Sequence, residues 1–206
     1  GPGSGHLGSF IMQEDEYKYI GYENTQAFYI TQNFLWNKIF PGEVNEVFDT
    51  FELEKHNHLP WWKFSDLDFE LPTMDCVIAN HVFSEMHPWA YKFTIKRIKS
   101  CLKENGYVIC EGLGNSDYLS HDKIINEFYN NGFSLINTSN LKNISNYPHI
   151  YIFKKIPNEN NYSINTHMYL NEVFLKHKNG FLSFFRNSNF FLVLSIIKKA
   201  LSRPPR

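Results

Sequence analysis

Three glycines at the start of the chain, Gly3, Gly5 and Gly8 in the run GPGSGHLG, limit its fold more than any other feature. The Gly3-x-Gly5-x-x-Gly8 spacing makes a turn without Cβ atoms, so backbone N–H groups can come close to a ligand. Leu7, Phe10, Ile11 and Met12 follow without a proline, which predicts a short helix whose N-terminus faces that ligand. An acidic residue, Glu23, comes 18 positions after Gly5 and directly behind the strand-like segment Tyr17–Tyr22. A nucleotide-binding α/β unit needs a carboxylate near that separation to accept hydrogen bonds from ribose hydroxyls. The loop begins at residue 1, so the strand that should feed it is expected to be missing from the chain. Gly-Pro-Gly-Ser is also what a cleaved expression tag leaves behind, and Gly1–Ser4 stays open to that second origin.

Composition narrows the class. At 206 residues there is room for one well-buried domain and an appendage. The net charge of -1 supplies no basic field for nucleic acid. The 19 Phe and 12 Tyr, beside plentiful Asn, Lys and Ile, read as the codon bias of an AT-rich genome as much as a functional signal. Cys76, Cys101 and Cys110 lie in apolar runs with no zinc-like spacing, which predicts buried thiols in a reducing cytoplasm. No signal peptide is evident, and the apolar run Phe190–Ile197 is too short to span a bilayer.

After the short helix and the strand ending at Tyr22, Asn24 is placed to cap a helix over Thr25–Ile39. Ala27, Phe28, Thr31, Phe34, Leu35 and Ile39 form its expected apolar stripe, and Pro41-Gly42 stops it. The next strand is expected within Val44–Leu53, around Val47–Phe51. His56–Glu70, with two histidines and the pair Trp61-Trp62, reads as an irregular loop. Met74–Asn80 is a continuous apolar run of the kind a parallel sheet buries on both faces. Pro88 then opens a helix with Trp89, Phe93, Ile98 and Leu102 inward, ended by Asn105-Gly106. Tyr107–Cys110, a helix from Ser120 to Tyr129, and strands Phe133–Thr138 and His149–Phe153 complete the alternation. Strand and helix in this order predict an α/β, doubly wound sheet over residues 1–156. Residues 157–206 form a tail with helical patterns at Met168–His177 and Phe190–Leu201. The second is expected to pack on the domain or, alternatively, to lie against a membrane surface.

These residues resemble the class I S-adenosylmethionine-dependent methyltransferases. Gly1-Pro2-Gly3-Ser4-Gly5 is similar to that family's first motif, and Glu23 sits where its ribose-binding acid belongs. Asp75–Asn80 resembles the fourth-strand motif, and Leu102–Tyr107 the helix end and turn before strand five. Asn131-Gly132-Phe133 and Pro148–Lys155 resemble the turn into strand six and the antiparallel last strand. The match runs over about Gly1 to Lys155 and rests on order and spacing; Asn80–Glu111 looks most similar to bacterial enzymes described as sugar O-methyltransferases. The resemblance implies a Rossmann-like, mostly parallel sheet, here without its first strand, and S-adenosyl-L-methionine as cofactor.

It also implies roles for particular residues. Gly1, Gly3, Gly5, Glu23 and Asn80 would hold the cofactor, and Glu85, Glu111 and Trp61 would meet a small-molecule or sugar acceptor. His81, leaving the carboxyl end of the Met74–Asn80 strand, would take the proton of an acceptor hydroxyl. The bland reading of each stands beside this one: turn glycines, a helix-start carboxylate, a hydrogen-bonded structural histidine, packed tryptophans. Two other functions fit the same pattern. The fingerprint suits a dinucleotide-dependent oxidoreductase, though the last two strands disfavour it, and a non-catalytic binding or scaffold module of this fold remains open.

Overall fold

A computed structural model describes residues 3–48, 52, 54–66, 70–71, 73–112, 120–139 and 150–157. The expected tail and Gly1 lie outside the described residues. Helix α1 (His6–Met12) leads into β1 (Tyr19–Tyr22), α2 (Gln26–Ile39), β2 (Val44–Glu46), β3 (His56–Leu59) and α3 (Trp61–Ser65). Strand β4 (Met74–Asn80), a 3-10 turn (Phe83–Glu85), α4 (Pro88–Cys101), β5 (Leu102–Glu111), α5 (His121–Asn130), β6 (Phe133–Ser139) and β7 (Ile150–Lys155) follow. No helix among the described residues is long and apolar enough to cross a membrane.

The strands form two sheets. One has the order β1-β3-β2, all parallel; the other has the order β4-β5-β7-β6, with β4 and β5 parallel and β7 antiparallel to both neighbours. The expected α/β layering and antiparallel last strand are therefore present. β1 and β4 each end a sheet, so the expected continuous sheet is divided at this point among the described residues. Helix α4 bridges the two halves. Its Arg97 donates from Nη2 to the Asp66 carbonyl at 2.8 Å and from Nε to the Phe64 carbonyl at 3.3 Å.

The two halves are held by different forces. Around β4–β7 the core is apolar: Tyr91, Ile95 and Ile98 of α4 and Ile124, Ile125 and Phe128 of α5 close over Val108, Phe133, Leu135 and Phe153. Phe128 stacks on Phe153 at 4.1 Å and meets Phe83 and Phe133 edge-on at 5.4 Å each. Truncating such a ring to alanine costs about 3–5 kcal/mol, because the cavity left behind adds to the lost transfer energy.

Around β3 the buried residues are polar. His56, Asn57 and His58 are fully buried, and each is hydrogen-bonded, as burial of such groups requires. Asn57 Nδ2 donates to the Tyr19 and Glu54 carbonyls at 3.1 and 2.8 Å, while its Oδ1 accepts from Glu54 N at 3.1 Å. His56 Nε2 lies 3.0 Å from the Met12 carbonyl, tying β3 to α1.

Six expectations need correction. His56–Glu70 is not one irregular loop: β3 is the centre of its sheet and α3 follows it. The polar sequence HNHL hides a strand whose burial depends on side-chain partners elsewhere. The strand expected around Val47–Phe51 lies earlier, at Val44–Glu46. Helix α2 buries Tyr29, Gln32 and Trp36, while Phe28, Phe34 and Ile39 are exposed; apolar spacing gave the wrong face. Its N-cap is Thr25, one residue later than expected. Helix α4 buries Ile98 as expected, together with Tyr91, Thr94 and Ile95, but leaves Trp89 77% exposed. It ends at Cys101, and Leu102 already pairs with Met74 before a register shift brings Cys76 opposite Tyr107. Gly106 fits that shift because a Cβ there would lie 2.8 Å from the Lys103 carbonyl.

Two expectations for experiment follow from these contacts. Among the described residues the outer edges of β1 and β4 have no partner strand and present unpaired backbone groups, so the 206-residue chain alone should aggregate or need a partner strand; a cooperative, monomeric thermal melt would contradict this. Burial also pulls the His58 pKa from 6.5 down to about 3, so the ring stays neutral in the fold. The unfolded chain takes up a proton that the folded chain refuses, so stability should decline as pH falls from about 6.5 towards 3. His58→Gln should flatten that slope in melts between pH 7.5 and 4.5, and parallel slopes would exclude His58 as its source.

Candidate cofactor and active site

The glycine turn is built from the side of α2. Gly3 and Gly5 have φ of 57° and 87°, left-handed values that favour glycine, and Gly5 is the N-cap of α1. Trp36, fully buried, donates from Nε1 to the Gly5 carbonyl at 2.9 Å. A Cβ on Gly8 would lie 2.7 Å from Trp36 Cζ2, and one on Gly21 2.4 Å from Trp36 Cη2. A Cβ on Gly5 would sit 3.0 Å from both Gln32 Cγ and Trp36 Nε1. The bareness of Gly5 and Gly8 thus makes room for the indole. Gly3 differs, because nothing lies within 4 Å of its added Cβ and that backbone is open to approach.

Glu23 follows β1 directly and is 4% exposed. Its Oε1 accepts from Thr25 N at 3.1 Å, at the start of α2, and its Oε2 accepts from Gln32 Nε2 at 3.2 Å. The same Gln32 nitrogen donates to the Gly3 carbonyl at 2.5 Å. The sequence-expected pair, glycine turn and acid, is therefore joined through one residue that sequence reasoning missed. No sequence signal marked it, because the apolar spacing of α2 left Gln32 outside the stripe expected to be buried. His58 Nε2 is 3.2 Å from Gln32 Oε1, and its ring stacks on Tyr29 at 3.9 Å. Burial, together with the Glu23 charge, pushes the Tyr22 pKa up to about 12 and that of Tyr19 well above its usual range.

A second group forms at the ends of β4 and β5. Asn80 and Glu111 are register partners, and His81 N donates to the Glu111 carbonyl at 2.9 Å. His81 is exposed and has φ of 51°, an uncommon conformation for a non-glycine residue that costs on the order of 1 kcal/mol or more. Its ring lies over Gly112, where a Cβ would come within 2.2 Å of Nδ1. The Asn80 Oδ1 is buried and makes no hydrogen bond.

The other expected residues are dispersed around these two groups. Glu85 ends the 3-10 turn and is exposed; His87 caps α4, its Nδ1 accepting from Trp89 N at 3.3 Å. Trp61 opens α3, and its side chain lies outside the described residues. The three cysteines are free, and burial raises the pKa of each, to about 12 for Cys76 with help from Asp75. Such thiols make poor nucleophiles.

No protein-family model and no curated protein matches the sequence. Solved structures do match. A TehB-like S-adenosylmethionine-dependent methyltransferase from Corynebacterium glutamicum is 14% identical with a TM-score of 0.55, over 75% of this chain and 77% of that one. Magnesium protoporphyrin IX methyltransferase from Synechocystis, solved with bound S-adenosylmethionine, is 14% identical with a TM-score of 0.56, over 75% and 67%. StiE O-MT is 13% identical with a TM-score of 0.59, over 85% and 72%. At such identities the likeness is one of architecture. The chain has the fold of the class I S-adenosylmethionine-dependent methyltransferases.

Proposed function

We propose that the chain is an S-adenosylmethionine-dependent methyltransferase acting on a hydroxyl of a small molecule or glycan. The observation that carries this reading is the Glu23–Gln32–Gly3 connection. It puts a buried carboxylate and an open glycine backbone on one support, at the strand ends where ligands of open α/β sheets bind. A carboxylate has about four acceptor positions, and Thr25 N and Gln32 use two of those on Glu23. The remaining two suit the vicinal hydroxyls of a ribose. Gly1, Gly3 and Gly5 would meet the methionine end, with Gly3 the least obstructed. Asn80 offers an unused buried oxygen towards the same end of the sheet.

When bound, the cofactor supplies a methyl group activated on a sulfonium, so placement of the acceptor oxygen in line accounts for most of the chemistry left to the protein. His81 would take the proton that the acceptor hydroxyl gives up when its oxygen is methylated. The hydrogen bond from His81 N to Glu111 and the seat on Gly112 hold its imidazole beside the carboxyl end of β4. Glu85, Glu111 and Trp61 are assigned to the acceptor.

Calorimetric titration with S-adenosylhomocysteine tests the cofactor half of the reading. Glu23→Ala should weaken binding by ~1.5–3 kcal/mol, the worth of a hydrogen bond to a charged group, and unchanged affinity would remove Glu23 from the site. For the chemistry, His81→Ala and His81→Gln should each lower kcat by about 10²–10⁴, the usual contribution of a general base, with cofactor affinity near that of the parent. If both substitutions leave kcat intact, or abolish cofactor binding, His81 is structural. An acceptor that proves to be an amine with a free lone pair needs no base and would count against the hydroxyl assignment.

A further inference from the structure

Gln32 sits fully buried on α2, and three of the four hydrogen-bonding positions of its amide are used. One amide N–H goes to the Gly3 carbonyl and the other to Glu23 Oε2, while Oε1 faces His58 Nε2 at 3.2 Å. Gly3 O and Glu23 Oε2 are acceptors, so the amide orientation has no free alternative. Its oxygen must point at His58, and His58 must carry its proton on Nε2. The resulting His58 tautomer leaves Nδ1 bare, in agreement with the unpartnered buried Nδ1 found there. A buried polar side chain is costly unless paired, and here every partner but one belongs to the two parts of the candidate cofactor site.

We propose that Gln32 is a positioning residue that couples the glycine turn to the ribose carboxylate. The inference rests on the cofactor reading above and assigns it a residue outside the family-like motifs. The Gly3 carbonyl and the Glu23 carboxylate hang from the two hydrogens of one nitrogen, so a shift of either partner changes the hydrogen bond of the other. Helix α2 fixes that nitrogen through the burial of Tyr29 and Trp36 on the same face. The ligand therefore meets a turn and an acid whose separation is already set, and the ordering cost falls on folding instead of on binding.

Two substitutions separate this role from simple packing. Gln32→Met keeps the volume and removes all three bonds; it should weaken S-adenosylhomocysteine about 10–100-fold at every pH, the range expected for losing hydrogen bonds to a charged and a backbone group. Gln32→Glu keeps the shape but sets a second carboxyl against Glu23. Two carboxylates at that distance cannot both ionise freely, so one proton is shared. The groups facing position 32 are Glu23 from the end of β1, His58 from β3, the Gly3 carbonyl, and Tyr29 of α2, whose ring stacks on His58. A proton taken by the new acid or by His58 relieves the same repulsion. The ratio of variant to parent affinity should thus be worst near pH 8 and recover several-fold by pH 5.5, where a protonated acid again donates to Glu23.

The measurement is calorimetric titration with S-adenosylhomocysteine at both pH values of the 206-residue chain supplied with the partner strand that its open β1 and β4 edges call for, with thermal melts confirming that the parent and each variant fold. A pH-dependent loss in Gln32→Glu with a pH-independent loss in Gln32→Met supports the coupling role. Parent protein that binds while Gln32→Glu matches it at both pH values overturns the proposal and leaves the cofactor reading standing. Equal, pH-independent losses in both variants reduce Gln32 to a packing residue and overturn it as well. Parent protein that fails to bind overturns the cofactor reading and the proposal together.

Discussion

The indole of Trp36 is the contact on which the N-terminal half depends. Its ring occupies a slot bounded by Gly5, Gly8 and Gly21, and its one polar atom is bonded to the Gly5 carbonyl. A buried indole N–H needs such a partner, and the turn supplies it. One side chain thereby fixes the start of α1, the middle of β1 and the rotation of α2. It also meets Tyr19 edge-on at 5.6 Å and His58 at 4.6 Å, so the first and central strands of that sheet share it. Gly5, Gly8 and Gly21 make room for the indole, while nothing lies within 4 Å of a Cβ added at Gly3.

This arrangement explains why the two halves of the molecule look so unlike. The β4–β7 half is held by apolar rings and branched chains, a non-directional force that tolerates small shifts. The β1–β3 half is held by directional bonds among Asn57, His56, His58, Gln32 and Glu23, which fail if any member moves. Directional bonds suit a site that must hold a turn and a carboxylate at fixed separation. They also leave little apolar area to shield β1, whose outer edge is unpaired among the described strands.

At the far side of the sheet break, geometry concentrates the reactive groups by topology. Parallel β4 and β5 end together, so Asn80, His81 and Glu111 emerge side by side although 30 residues separate the first from the last. The left-handed backbone of His81 is the one described strained residue at these strand ends that carries a titratable side chain. Strain of this kind persists where surrounding contacts enforce it; here the Glu111 carbonyl and the bare Gly112 do so.

The sequence by itself determined whatever depends on local pattern. The strand Met74–Asn80, Ser120 at a helix N-cap, the Asn131-Gly132 turn and the strand–helix alternation from β4 onward were readable, because each follows from an apolar run, a capping preference or a φ preference within a few residues. The glycine turn and Glu23 were legible as a spacing, and the carboxyl-end placement of His81 as a consequence of strand direction. Tertiary structure alone decided which face of α2 is buried, since Gln32 and Trp36 outcompete Phe28 and Phe34 only through partners on Gly3, Gly5, Glu23 and His58. It alone made HNHL a central strand, because the bonds that permit burial of those side chains come from residues 3 to 44 positions away. Hydrophobic periodicity records how often a position meets oil or water; it is blind to a polar residue whose every hydrogen bond is supplied from elsewhere in the chain.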